Sequence, residues 1–161
     1  MPVADDTYAY RGDLPHLSKR GKTYLLTFCT WRRIVMNRQA RDIVLSTVLH
    51  DRNIEYALHA AVIMPEHVHI LLTPIEKDER AMSTIPIITQ RLKSVSAHRV
   101  ARLPNQKRHV WQDESFDHIV RGQDSLRAKA DYICENPVRR GLVKAPDDWP
   151  WLWRWWVEGS R

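Results

Sequence analysis

Apolar positions along the chain recur with two periods, and the switches between them outline the elements. Thr23–Thr30 has the aromatic and branched composition of a strand. From about Arg38 to Arg52, Ala40, Ile43, Val44, Leu45, Val48 and Leu49 fall at helical spacing, which predicts an amphipathic helix lying on a sheet. Glu55–Met64 and His67–Thr73 are apolar runs joined by Pro65-Glu66, a connection short enough for an antiparallel hairpin. Ser83–Arg102 returns to the helical period with Ile87, Ile88, Leu92, Val95 and Ala97, and Pro86 sits in its first turn, where proline is tolerated. Val110-Trp111 and Phe116–Val120 suit a further strand. A third helix follows Gly122, with Asp124 as N-cap and Leu126, Ala130 and Ile133 as its buried stripe, and Asn136-Pro137 is expected to stop it. The order β-α-β-β-α-β plus a helix predicts an α+β, ferredoxin-like sandwich: an antiparallel sheet with helices on one face.

The length of 161 residues suits one domain spanning 1–161. Residues 1–20 read as a basic N-terminal arm and 148–161 as a Trp-rich tail. That tail holds Trp149, Trp151, Trp153, Trp155 and Trp156, which either stack on bases or cover an apolar face; covering is the preferred reading. The net charge of +6 favours a polyanionic partner such as nucleic acid. Two distant cysteines, Cys29 and Cys134, make neither a disulfide framework nor a zinc quartet, which points to the reducing cytoplasm. No apolar run has the length of a membrane span, and no export signal is visible.

The candidate chemistry centres on His67-Val68-His69. Two imidazoles two residues apart on a strand leave the same face, so they can share one divalent ion, although a satisfied structural pair has the same spacing. Tyr132 and Asn136 are four apart on the third helix and also share a face. The Asn136 amide could complete a two-imidazole, one-amide site for Mg²⁺ or Mn²⁺ with open positions for a phosphate oxygen. Tyr132, one turn away on the C-terminal helix, would then be placed to attack that phosphorus.

Met64-Pro65-Glu66-His67-Val68-His69, Trp111-Gln112, Phe116-Asp117-His118-Ile119-Val120-Arg121, and Asp131-Tyr132-Ile133 through Asn136-Pro137-Val138-Arg139-Arg140-Gly141-Leu142-Val143 together resemble the REP-associated tyrosine transposases, of the single-tyrosine, His-hydrophobic-His class. The resemblance runs from about Lys19 to Trp151. It implies a metal-dependent endonuclease and strand transferase acting on single-stranded DNA beside palindromic REP hairpins, through a covalent 5′-phosphotyrosine. It maps the nucleophile to Tyr132 and the metal ligands to His67, His69 and Asn136. In the family a Gly-Thr-aromatic element near the first strand helps read a tetranucleotide beside the hairpin; here Lys22 is inserted between Gly21 and Thr23. Arg20, Gly21, Lys22, Thr23, Lys93, Arg99, Arg139, Arg140 and Lys144 are the candidate DNA contacts. The REP-associated branch leans towards a monomer, and Glu66 and His118 stand as open candidates for proton transfer. Two rival readings fit the residues less well. A histidine-triad hydrolase needs histidine at a third alternating position, where Leu71 stands; a hairpin binder without catalysis needs no combination of Tyr132, His67, His69 and Asn136.

Overall fold

The structure is a computed structural model that describes residues 21–76, 84–106 and 109–155. The basic arm, Arg20 and Trp156 lie outside the described residues. Five antiparallel strands, β1 (Thr23–Thr30), β2 (Tyr56–Ile63), β3 (His67–Pro74), β4 (Trp111–Val120) and β5 (Leu152–Arg154), form one sheet in the order β4-β1-β3-β2-β5. The first four have the ferredoxin-like order. β3 is central and buried along nearly its whole length.

Helices α1 (Arg38–His50) and α2 (Ile85–Val100) cover the sheet face that carries Leu26, Phe28, Val68, Ile70 and Leu72. The Tyr56 hydroxyl donates to the Val48 carbonyl at 2.6 Å, the Trp111 indole donates to Ser96 Oγ at 3.0 Å, and Phe28 meets Trp111 edge to face. Each fully buried Leu, Ile or Phe here contributes about 1.5–3 kcal/mol relative to exposure. Arg99 bridges the two helices by donating to Thr47 Oγ1 at 2.7 Å.

Helix α3 (Gln123–Cys134) departs from the expected one-sided arrangement: it lies on the opposite face, against β2 and β3, with Leu126, Ala130, Ile133 and Cys134 buried. Its N-cap is Gly122 at φ 80°, a conformation natural to glycine, rather than Asp124, which sits in the first turn where its charge complements the helix dipole. Asn136-Pro137 does not stop the chain's helical course but begins the short α4 (Asn136–Arg139), with Pro137 in a first turn that needs no donor from it. Gly141 at φ 74° then ends it: Gly141 N–H bonds to Val138 O and Leu142 N–H to Pro137 O, both at 2.9 Å, a Schellman closure.

The tail expectation of covering holds for its described part. Trp149 and Trp151 are buried and their indoles donate to Ile63 O at 3.0 Å and Asp42 Oδ1 at 2.7 Å. The Arg41 guanidinium lies over both rings, 4.0 Å from that of Trp151. Leu152–Arg154 adds β5 to the edge of β2, a strand that the pattern of the sequence did not announce.

Candidate active site

His67 and His69 leave β3 on the α3 side of the sheet with ring centroids 4.7 Å apart, as their spacing predicts. Opposite them across the β1–β3 ladder stand Cys29 and Thr27. Each imidazole is held through Nδ1: His67 Nδ1–H donates to Glu66 Oε1 at 2.9 Å, and His69 Nδ1 bonds Thr27 Oγ1 at 2.8 Å. With the His67 proton on Nδ1 facing the Glu66 carboxylate, Nε2 is free to accept from Asn136 Nδ2 at 3.2 Å. Burial, reinforced by the neighbouring His67 and the charge of Arg139, pushes the His69 pKa down to about 3. Burial also lowers His67, against the raising influence of Glu66 and with Arg140 and Arg33 adding to the fall. Both rings are therefore neutral near pH 7 and have ligating lone pairs.

Tyr132 is half exposed, its ring centroid 6.3 Å from that of His69. The Arg139 guanidinium lies 4.2 Å from the Tyr132 ring centroid and donates to the Tyr132 carbonyl at 2.8 Å. Helical spacing thus brings Tyr132 and Asn136 to the same pair of histidines.

These donors fit a divalent ion. Glu66 and Thr27 orient the rings from outside, the arrangement that metal-binding histidines need, and a half-turn of the Asn136 amide would present Oδ1 as a ligand to an ion held on the His67 Nε2 lone pair. Among the described residues no group of three or more His, Cys, Asp or Glu side chains converges, and the Asn136 amide is the neutral polar group 3.2 Å from His67 Nε2.

The candidate DNA contacts divide. Arg139 and Arg140 belong to the site, but Arg140 is engaged with Glu66 through two hydrogen bonds, at 2.7 and 3.2 Å. Gly21 and Lys22 precede β1, with Lys22 exposed; Lys144 is exposed after α4. Thr23 is turned inwards and shares a 2.7 Å hydrogen bond with Thr73. Lys93 and Arg99 do not join the site. They lie across the sheet, where Lys93 donates to Gln112 O at 2.6 Å beside a cavity of about 770 Å³ between α2 and β4, and Arg99 is bound to α1. Their helical spacing among apolar residues gave no sign that packing would occupy them.

Two features escaped sequence reasoning. Phe116 stands opposite Thr27 on the β1–β4 ladder, hence on the histidine face, and is 61% exposed; His118 stands opposite Leu25 on the same face, also exposed. Alternation counted back from His118 was the signal available for Phe116. Arg32 and Arg33 follow β1 at φ 53° and 56°, a left-handed conformation uncommon for such side chains, and the Arg33 charge reaches His67. The basic pair after a strand was visible, but its turn was not.

Residues 19–136 match the family described as IS200-like transposase. A REP-associated tyrosine transposase of Escherichia coli K12 is 29% identical, the match covering 80% of this chain and 78% of the relative. Among solved structures, a REP-associated tyrosine transposase bound to a REP hairpin superimposes with a TM-score of 0.67 at 26% identity, covering 82% of this chain and 76% of the other.

Proposed function

Because the chain belongs to the IS200-like transposase family, we propose that it is a metal-dependent single-stranded DNA endonuclease and strand transferase that works beside palindromic REP-type hairpins. Tyr132 is its nucleophile, and His67, His69 and Asn136 hold the ion. One observation carries this reading: the helical run of Tyr132 and Asn136 is docked on the two same-face imidazoles, with Asn136 3.2 Å from His67 Nε2 and the Tyr132 ring beside His69.

A divalent ion, Mg²⁺ or Mn²⁺, would polarise the scissile phosphodiester and offset the charge that develops on it. The chain's own residues do the rest. Burial keeps both imidazoles neutral, and Glu66 and Thr27 hold their orientation. Tyr132, half exposed, is open to an extended strand. Attack by its oxygen forms the tyrosine–phosphorus bond and breaks the bond from phosphorus to the 3′ oxygen, which leaves as a hydroxyl. Attack by that or another 3′-hydroxyl reverses the step and rejoins strands without an external energy source. Arg139 over the ring supplies positive charge where a phosphate would arrive, and Lys22 and Lys144 extend it for the flanking backbone. The hairpin substrate is supported by the DNA bound to the structural relative.

The test uses end-labelled single-stranded DNA with a palindromic hairpin and flanks, incubated with wild type or Tyr132→Phe in Mn²⁺ or EDTA and resolved on a denaturing protein gel. A Mn²⁺-dependent adduct absent from the variant is expected. An adduct that persists in Tyr132→Phe overturns the nucleophile; binding with no adduct from wild type makes the chain a hairpin binder.

A further inference from the structure

The contacts around His67 continue beyond Glu66. Glu66 is 8% exposed, and its carboxylate receives His67 Nδ1–H on Oε1 and a two-bond fork from Arg140 on Oε1 and Oε2. The Arg140 guanidinium holds the Glu66 carboxyl below its ordinary range, despite the opposing effect of burial and with His67 contributing further. Both ends of this chain are anchored in backbone. Glu66 O accepts from Thr30 N at 2.9 Å and Pro65 O from Met36 N at 2.7 Å, which pins the β2–β3 turn. Arg140 is the C-cap of α4, held there by the Schellman closure at Gly141. One turn earlier on the same helix is Asn136, itself against His67.

We infer that Glu66 and Arg140 are a positioning pair: they set the tautomer of His67 and dock α4 on β3, so that ion affinity at His67, His69 and Asn136 depends on a neighbouring cation. The inference rests on the metal-holding role of those three residues. Its physical signature is a sign. By Coulomb's law alone a guanidinium beside a site for a dication repels the ion, so its removal strengthens binding. If Arg140 instead fixes Glu66, and Glu66 fixes the ring, its removal weakens binding, because partners behind a metal-ligating histidine are commonly worth 10- to 100-fold in affinity. Arginine's planar fork also matters, since lysine keeps the charge but offers no matched pair of donors.

Mn²⁺ titration calorimetry on the full chain, with His67→Ala, Glu66→Gln, Arg140→Gln and Arg140→Lys, measures the sign. We expect Glu66→Gln and Arg140→Gln to bind Mn²⁺ at least about tenfold more weakly than wild type, with Arg140→Lys in between. Nitrogen-15 spectra of metal-free protein at pH 8 give a second readout: one Nδ1-protonated His67 tautomer in wild type, and a mixture in Glu66→Gln and Arg140→Gln whose other resonances stay native. Equal or tighter Mn²⁺ binding by Arg140→Gln, or an unchanged His67 tautomer, overturns the positioning role while leaving the metal site standing. Wild type that binds no better than His67→Ala overturns both.

Discussion

Asn136 and His67, 69 positions apart, meet at 3.2 Å, and this contact joins the end of the α3–α4 run to the central strand. Asn136 is 7% exposed, so its amide has been taken out of water for that purpose. Asn136→Ala should weaken Mn²⁺ binding at least about tenfold, by analogy with losses seen behind metal ligands. It should also destabilise the metal-free fold by about 1–3 kcal/mol, because a buried His67 nitrogen loses its donor. Asn136→Asp, which substitutes a carboxylate, should bind Mn²⁺ at least as well as wild type. Calorimetry and urea unfolding in EDTA read the two effects separately.

Stability should fall in acid through His59. Burial pushes its pKa down to about 3 from 6.5, so the folded protein keeps it neutral while the unfolded chain takes up a proton below pH 6.5. The unfolded state binds more protons between those limits. Stability therefore drops by about 1.4 kcal/mol per pH unit from this group as pH falls from 6.5 toward 3, and is unaffected by it above 6.5. His67 and His69 act in the same direction, so the check is the difference between wild type and His59→Gln. In EDTA that difference should change by about 1.4 kcal/mol per unit between pH 6 and pH 4; a constant difference refutes the assignment.

Phe116 presents an exposed ring on the face that carries His69. Phe116→Ala should weaken binding of single-stranded flanking DNA by about 1–3 kcal/mol, the usual worth of one base–aromatic stack, without changing the unfolding midpoint. Fluorescence anisotropy at fixed salt measures it. Affinity equal to wild type would show that no base rests there.

Trp151 is 5% exposed, donates to Asp42 and carries the Arg41 guanidinium on its ring. Trp151→Ala should cost about 3–5 kcal/mol of stability, whereas Trp151→Phe should recover most of the packing but leave Asp42 without its donor. Denaturant unfolding distinguishes them. Equal stability of the alanine variant would mean that the tail is an ornament on α1.

The parts legible in the sequence were those that a local period determines. Alternation placed His67 and His69 on one face, and four-residue spacing placed Tyr132 and Asn136 together. The strand order followed from the sequence of elements, because few antiparallel topologies accommodate it. What escaped depended on where elements dock. The side of the sheet taken by α3 has no signature within α3 itself. Lys93 and Arg99 read as candidate DNA contacts, but packing engages them with the Gln112 carbonyl and the Thr47 hydroxyl. Asp124 read as a cap because glycine at φ 80° satisfies a helix start by backbone geometry, not by side-chain chemistry. β5 is three residues long, too short for alternation to be read.

A row of buried polar groups crosses three strands on the histidine face: His59 Nε2 bonds Thr73 Oγ1 at 2.8 Å, and Thr73 Oγ1 bonds Thr23 Oγ1 at 2.7 Å. It lies beside the irregularity in β2 between Leu58 and Ala60, which gives β2 one residue more than its partner there. Thr73 is an even number of residues from His67 and His69, so a slip of β3 by one place would turn all three side chains away together. Such a slip would strip Thr23 and His59 of Thr73 inside the core, at about 1–3 kcal/mol for each buried group left wanting. A misaligned hairpin is thus penalised far from the imidazoles. The threonines act as a mark for chain alignment, biasing β3 toward the register that puts His67 and His69 on the side of Tyr132.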